Sequence, residues 1–316
     1  MLDHPLVVGI GIGLLGSAVA GPALAYGLQL LPQPWRRTTE WLLLAATVAF
    51  AVLIHFGADG PMGGMFVYVL AALPGVVAFL AFRTLVASTL VTLLPGYFVI
   101  GALTQGRSTY APEVALDRAV SLQPAWVFVY GSLYVFVVFM PLLVVRQEEL
   151  FRRAMKAYLM VMIFAYAGFL LYPVMAPRPD QVLGDGFSAW SLRFVYSADP
   201  PYGCFPSLHV AYSFVSALTC SRVHRGVGAV AALWAAAIAL STLYTKQHYV
   251  VDVIVGALAA YLAYVLFLRS YPREAIAESD RRRAPFRALW AIGFFGIMVA
   301  GFWVAYQSGV EAMGFR

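Results

Sequence analysis

Y-G-C-F-P-S-L-H-V-A-Y (202–212) and S-T-L-Y-T-K-Q-H-Y-V-V-D-V (241–253) are the two stretches whose reading decides the fold. Each sets a histidine at the edge of a strongly apolar run, with Ser207 beside the first, Lys246 and Asp252 beside the second. Ionisable groups inside or at the rim of apolar spans are expensive, so their presence points to function.

The surroundings support that reading. The chain has 316 residues, 62% hydrophobic and 11% charged, against about 25% charged in a soluble domain. Apolar runs near the length needed to cross a bilayer recur throughout, which predicts an all-α, polytopic transmembrane bundle. Ten spans are expected, over 5–32, 40–58, 62–82, 84–105, 122–145, 155–176, 205–221, 227–244, 249–269 and 287–308. No Lys or Arg precedes Arg36, so the first apolar run is expected to be a retained span rather than a signal peptide.

Loops after the odd-numbered spans hold 15 of the 21 Lys and Arg residues, including Arg152, Arg153 and the run Arg281–Arg283. By the positive-inside rule these loops are cytoplasmic. Both termini, Arg178, the P-S-L-H segment and Lys246 then face the opposite side of what is expected to be a plasma membrane. The segment 270–286 reads as the main cytoplasmic loop, 105–121 as an external interfacial turn, and 177–205 as the longest external loop, placed to shape a site. Cys204 and Cys220 would stand about 24 Å apart if Pro206 opens a helix, too far for a disulfide, so two free thiols are expected.

His248 and Asp252 are four apart and share a helix face. A histidine donating to the carboxylate offsets its burial, fixes the ring tautomer and leaves the other nitrogen as nucleophile or base. Pro206 at a helix start, with Ser207 and the next N–H groups, would form an anion site at the positive helix end. His209 in that first turn suits a general acid and then a general base. Arg178 and Lys246 supply charge for phosphoryl oxygens. Each feature also has a bland reading: a structural His–Asp pair, a simple helix cap, snorkelling cations. Tyr172, Tyr202, Tyr244 and Tyr249 are candidates to line a substrate entrance, whereas His4 and His55 read as interfacial and His224 as lying on the cytoplasmic side.

These residues resemble the type 2 phosphatidic acid phosphatase superfamily, whose blocks are K-x6-R-P, P-S-G-H and S-R-x5-H-x3-D. Arg178-Pro179 matches the end of the first block. Pro206, Ser207 and His209 match the second, and Ser241, His248 and Asp252 the third. The departures are Leu171, Leu208 and Thr242, which stand at the Lys, Gly and Arg positions. F-P-S-L-H-V, H-Y-V-V-D-V and D-R-A-V-S-L-Q-P (117–124) look more like the branch of inositol phosphorylceramide synthases and bacterial relatives. The resemblance implies a catalytic core over 84–270 with six helices, extra helices over 1–83, and a basic loop and final span over 271–316. It implies that His248 attacks phosphorus, Asp252 orients it, His209 moves protons, and Arg178, Ser207 and Lys246 cradle phosphate, with no metal or other cofactor. The expected partners are a phospholipid donor and a lipid alcohol or water as acceptor, without nucleic acid. A phospho-headgroup transferase is expected, with a lipid phosphate phosphatase as the alternative. A proton-relay transporter or a haem-binding cytochrome would need deep polar residues, or would leave Asp252, Ser207 and Arg178 unexplained.

Overall fold

The computed structural model describes Leu90, Leu93 and residues 96–199 and 201–309. The chain divides into two compact units, Met1–Leu103 and Thr104–Arg316. The expected spans over 5–32, 40–58 and 62–82 lie outside the described residues, as do His4 and His55, and the span over 84–105 is described only in part, as helix α1 (Gly96–Thr104).

In the second unit the elements run α2 (Ala115–Ala119), a 3-10 turn (Pro124–Trp126), α3 (Val127–Val144), α4 (Glu148–Leu171) and α5 (Phe187–Ala198). Then follow α6 (Leu208–Val223), α7 (Arg225–Tyr244), α8 (Val250–Ala263) with a π-helical extension over Tyr264–Leu268, and α9 (Glu278–Gln307). Among the described residues there is no strand, only two isolated bridges. Among the described residues, four helices are long and apolar enough to cross a membrane: Glu148–Leu171, Arg225–Tyr244, Val250–Leu268 and Glu278–Gln307. Their outward faces carry Leu171, Val230, Leu233, Leu258 and Ile297, all more than 60% exposed. Large apolar side chains turned outward along such helices fit an integral membrane protein. The expected spans over 122–145 and 205–221 correspond to α3 and α6, of 18 and 16 residues.

Helix α6 is the hub, packed against α3, α4, α7 and α8. Its sequence explains why. Ala211, Ser213, Ser216, Ala217 and Cys220 are small and buried, so neighbours approach from every side. The hydroxyls of Ser213 and Thr219 donate to the carbonyls of His209 and Val215 one turn back, and that of Ser216 donates to the carbonyl of Phe136 in α3. These three hydroxyls are thereby satisfied in an apolar interior. The closest approach is at Gly228 of α7, where a Cβ would lie 2.3 Å from the Ser221 Cα.

Three expectations are corrected here. Helix α4 begins at Glu148 rather than near 155. Its charged first turns are laced by Arg152–Glu148 and Arg153–Glu149 pairs, both 2.9 Å at i,i+4, so the helix outlasts its apolar stretch. Helix α9 likewise begins at Glu278, so Arg281–Arg283 lie on a helix and not in a loop; Arg287 pairs with Asp280 at 3.0 Å. The segment 177–205 carries α5, whose apolar face packs Ala189, Leu192 and Tyr196 against Val127 and Val182. Both cysteines are free and buried, in line with the expected spacing. Burial pushes the Cys204 thiol up, away from thiolate chemistry.

Candidate active site

The loops between α4 and α6 are knitted to 105–121 at one end of the bundle. Tyr110 N–H donates to the Pro173 carbonyl and Ala176 N–H to the Pro201 carbonyl, both at 2.8 Å. Phe205-Pro206-Ser207 is then squeezed between α4 and α8. A Cβ on Gly168 would lie 2.6 Å from the Phe205 carbonyl oxygen, and one on Gly256 would lie 2.5 Å from that of Ser207. Only glycine permits this approach. The Ser207 N–H donates to the Asp252 carbonyl oxygen at 3.1 Å, so the start of α6 is tied to the start of α8.

Helix α6 starts two residues later than expected. Pro206 lies before it, in a cis peptide with Phe205, and Ser207 is the N-cap, its Oγ accepting from Val210 N–H at 3.3 Å. Ser207 is fully buried, so its oxygen serves the helix end.

The connection from α7 to α8 places the second histidine. Thr245, Lys246, Gln247 and His248 N–H groups donate to carbonyls of Ser241, Leu243 and, for the last two, Thr242. Lys246 takes a left-handed φ of 53°, which reverses the chain after the helix. Asp252 caps α8, its Oδ2 accepting from Tyr249 N–H at 2.9 Å.

The site residues then meet. His248 Nδ1 faces Asp252 Oδ2 at 3.4 Å, and His248 Nε2 faces His209 Nδ1 at 3.0 Å. His209 Nε2 faces the Tyr130 hydroxyl of α3 at 3.1 Å, and that hydroxyl donates to Asp199 Oδ2 at 3.2 Å. Arg178 closes the far side. Its Nη1 donates to the carbonyls of Tyr196 and Asp199, its Nε and Nη2 to Gln247 Oε1, and its Nη2 lies 3.6 Å from Asp199 Oδ2. The guanidinium also lies over the Tyr196 ring, 4.6 Å from its centroid. Among the described residues, Gln247 Nε2 and Asp252 Oδ1 are buried without a hydrogen-bond partner, which leaves one donor and one acceptor open beside the histidines.

Two carboxylates, two adjoining imidazoles and a buried arginine can hold a nucleophile, an acid–base partner and an anion side by side. The structure brings His209, His248, Asp252 and Arg178 into one network and sets Ser207 beneath it. Lys246 is turned elsewhere, its Nζ donating to the Asp117 carbonyl at 3.0 Å. Tyr249 packs among Val174, Ala176 and Cys204, and Tyr244 stacks on Trp126 at 4.8 Å. Tyr172 stacks on Tyr110. His224 caps α7, accepting from Val227 N–H, at the end of α6 away from His209.

Sequence reasoning missed Tyr130, Asp199, Gln247 and Asp117. Tyr130 is one of 18 tyrosines and stands in an apolar run with nothing to mark it. Asp117 is buried, its Oδ1 accepting from Val250 N–H and its Oδ2 from Val114 N–H, both at 2.8 Å. It thereby holds the first N–H of α8, just after His248. Asp117→Ala is expected to lower unfolding stability by about 2–4 kcal/mol, since two sheltered N–H groups lose their acceptor. Thermal unfolding in detergent checks this; Arg118→Ala, at an exposed neighbour, should leave the midpoint unchanged.

A membrane-type helical bundle with this network defines a class, a buried polar cluster at one end of apolar helices. Comparison with known proteins narrows it. Residues 111–266, just under half of the chain, match the family model described as the PAP2 superfamily. A PA-phosphatase related-family protein of Dictyostelium discoideum is 31% identical over 94 residues, which covers 26% of this chain and 17% of the relative. No solved structure matches. The comparisons support the superfamily that the three motif blocks resemble.

Proposed function

We propose that the protein is an integral-membrane lipid phosphotransferase of this superfamily, working through a phosphohistidine with the site on the extracytoplasmic face. The observation that carries the reading is the placing of His248 between Asp252 on one ring nitrogen and His209 on the other. The His248 Nε2 lone pair forms the N–P bond as the P–O bond to the leaving alcohol breaks, and His209 gives that oxygen a proton. In the second half the acceptor hydroxyl loses its proton to His209, its oxygen attacks phosphorus, and the N–P bond returns its electrons to His248. Asp252 holds the ring throughout. Arg178 offsets the phosphoryl charge, and the open Gln247 amide is a further donor for a phosphoryl oxygen.

Transfer is favoured over hydrolysis by the charge of the site. Arg178 already shares its charge with Asp199, the Lys246 ammonium is held away by the Asp117 backbone carbonyl, and Leu171 and Thr242 stand where hydrolases carry cations. Such a site suits a phosphodiester monoanion better than a phosphomonoester dianion, as in the inositol phosphorylceramide synthase-like branch. The name of the Dictyostelium relative favours the second reading, a phosphatase acting on phosphatidic acid or isoprenoid phosphates. The ten-span arrangement with a six-helix core belongs to the same proposal.

The test is purified protein in detergent with labelled phospholipids and isoprenoid phosphates, each with and without diacylglycerol or ceramide. A new phospholipid formed only with the acceptor alcohol supports transfer. Free phosphate or free phospho-headgroup at the same rate with and without acceptor would replace it by hydrolysis.

A further inference from the structure

The end of the bundle away from His209 gathers arginines of two kinds. Arg152, Arg153, Arg282 and Arg287 each lie against a carboxylate of their own helix. Arg222 at the end of α6, Arg225 at the start of α7 and Arg273 after α8 do not. Among the described residues none of these three forms an ion pair, and the adjoining Glu274 is exposed. They are drawn together all the same. Arg222 Nη2 donates to the Tyr271 carbonyl and Arg273 Nη2 donates back to the Ser221 carbonyl, so both guanidinium groups cross between the same two chain segments. Arg225 is brought alongside by the tight fold of α7 on α6, which meet at Gly228 and Ser221. Partial burial, then the charges of Arg225 and Arg222, hold the Arg273 guanidinium below its ordinary pKa, as befits cations sharing one corner.

Such a corner lacks an anion. Like charges in partial shelter repel, and Arg222 Nε is buried with no acceptor among the described residues. Helix α7, 20 residues long, starts in the same corner. His224 takes the Val227 N–H on its ring nitrogen and the Gly228 N–H on its carbonyl, while the N–H groups of Arg225 and Gly226 have no acceptor among the described residues. Guanidinium forks and the N–H groups at a helix start suit the oxygens of a phosphate. The position selects its source. On α7, Val230 and Leu233 face outward about one and two turns beyond Arg225, and on α8 and its extension Leu262 and Leu266 do the same. A phosphate in the corner therefore lies next to apolar surface suited to acyl chains, which a soluble phosphate would not need. We propose that Arg222, Arg225 and Arg273, with the free N–H groups at the start of α7, bind the phosphate of an anionic phospholipid in the leaflet opposite the candidate active site. The proposal is independent of the chemistry assigned to the histidines.

The test uses the purified full chain in dodecyl maltoside, titrated in parallel with phosphatidylglycerol, phosphatidylcholine and inorganic phosphate. Retained lipid is counted by native mass spectrometry, and the midpoint of thermal unfolding is followed. Wild type is expected to retain phosphatidylglycerol at levels where phosphatidylcholine is lost, and to unfold at a higher temperature as phosphatidylglycerol is added. Arg225→Gln should weaken that affinity about fivefold or more, and Arg225→Gln/Arg273→Gln should weaken it further. Arg283→Gln removes the same charge from an exposed position on α9 and should change the affinity by less than about twofold. Arg273 also holds the Ser221 carbonyl, whereas the Arg225 side chain makes no hydrogen bond among the described residues, so Arg225→Gln decides if the double variant does not fold. Equal losses from Arg225→Gln and Arg283→Gln would reduce the effect to charge spread over the surface and overturn the site. So would a wild type that retains no phosphatidylglycerol. Equal retention of phosphatidylcholine, or the same stabilisation by inorganic phosphate alone, would overturn the assignment to an anionic lipid.

Discussion

His248→Gln is expected to lower phosphoryl transfer by about 10,000-fold or more and to leave no phosphoenzyme trappable by acid quench, whichever lipid is used. Both ring nitrogens are committed: Nδ1 lies 3.4 Å from Asp252 and Nε2 3.0 Å from His209. The other imidazole, His209, faces His248 and the Tyr130 hydroxyl and has no carboxylate on either ring nitrogen. Glutamine is preferred to alanine as the test because Asp252 is fully buried. Stripping its neighbour would leave a carboxylate held by Tyr249 N–H alone and would confuse loss of chemistry with loss of fold. His209→Gln should behave differently. It should stop turnover of alkyl esters yet still give a trappable phosphoenzyme from an aryl ester, because acid assistance matters least when the leaving group is good. A His248→Gln protein that kept the phosphoenzyme would remove His248 as nucleophile and send the search to the other imidazole.

Gly256→Val should nearly abolish activity, by more than about 100-fold, while the bundle still inserts and retains its helix content. The reason is geometric. A Cβ on Gly256 would lie 2.5 Å from the Ser207 carbonyl oxygen, which is backbone and cannot rotate away. Ser207 must then move off α8, taking with it the hydrogen bond from its N–H to the Asp252 carbonyl and the register of His209 two residues on. A shift of about 1 Å in that contact would separate the imidazoles beyond hydrogen-bond reach. Overpacking of this kind also costs about 1–3 kcal/mol of stability, so a control is needed. Gly228→Ala presses on Ser221 at the other end of α6, with a Cβ 2.3 Å from its Cα. It should lower the unfolding midpoint comparably but leave the folded fraction active. If Gly256→Val and Gly228→Ala lose activity in proportion to stability alone, the close packing of α8 on Ser207 has no special part in the site.

Much of the candidate site's polar cluster was legible in the sequence. His209, His248, Asp252 and Arg178 stand out because polar groups at the rim of apolar runs are costly, and local spacing puts His248 and Asp252 on one helical turn. The reading of Pro206 as the first helical residue failed by two positions. Helix starts are set by which side chain can take the free N–H groups, and Ser207 does so here, one residue closer to His209. Helix α5 was hidden in a segment dense in Pro, Gly and Asp at both ends, and α4 and α9 begin earlier than their apolar stretches because charged residues pair along a helix as readily as apolar ones pack.

The amino-acid sequence by itself determined that the chain is helical, apolar on its outward faces and supplied with an Asp–His pair and a second histidine, since these follow from composition and from spacings within one turn. Which groups touch was decided only by tertiary structure. His209 and His248 lie 39 positions apart, and Tyr130 and His209 79 apart; their contacts exist because glycines at 168 and 256 let α4 and α8 close on the same three residues. The partner of Lys246 was decided in the same way. Its left-handed turn aims the ammonium at the Asp117 carbonyl, 129 positions away, and no local pattern of charge or hydropathy encodes a pairing that arises only when separate helices pack.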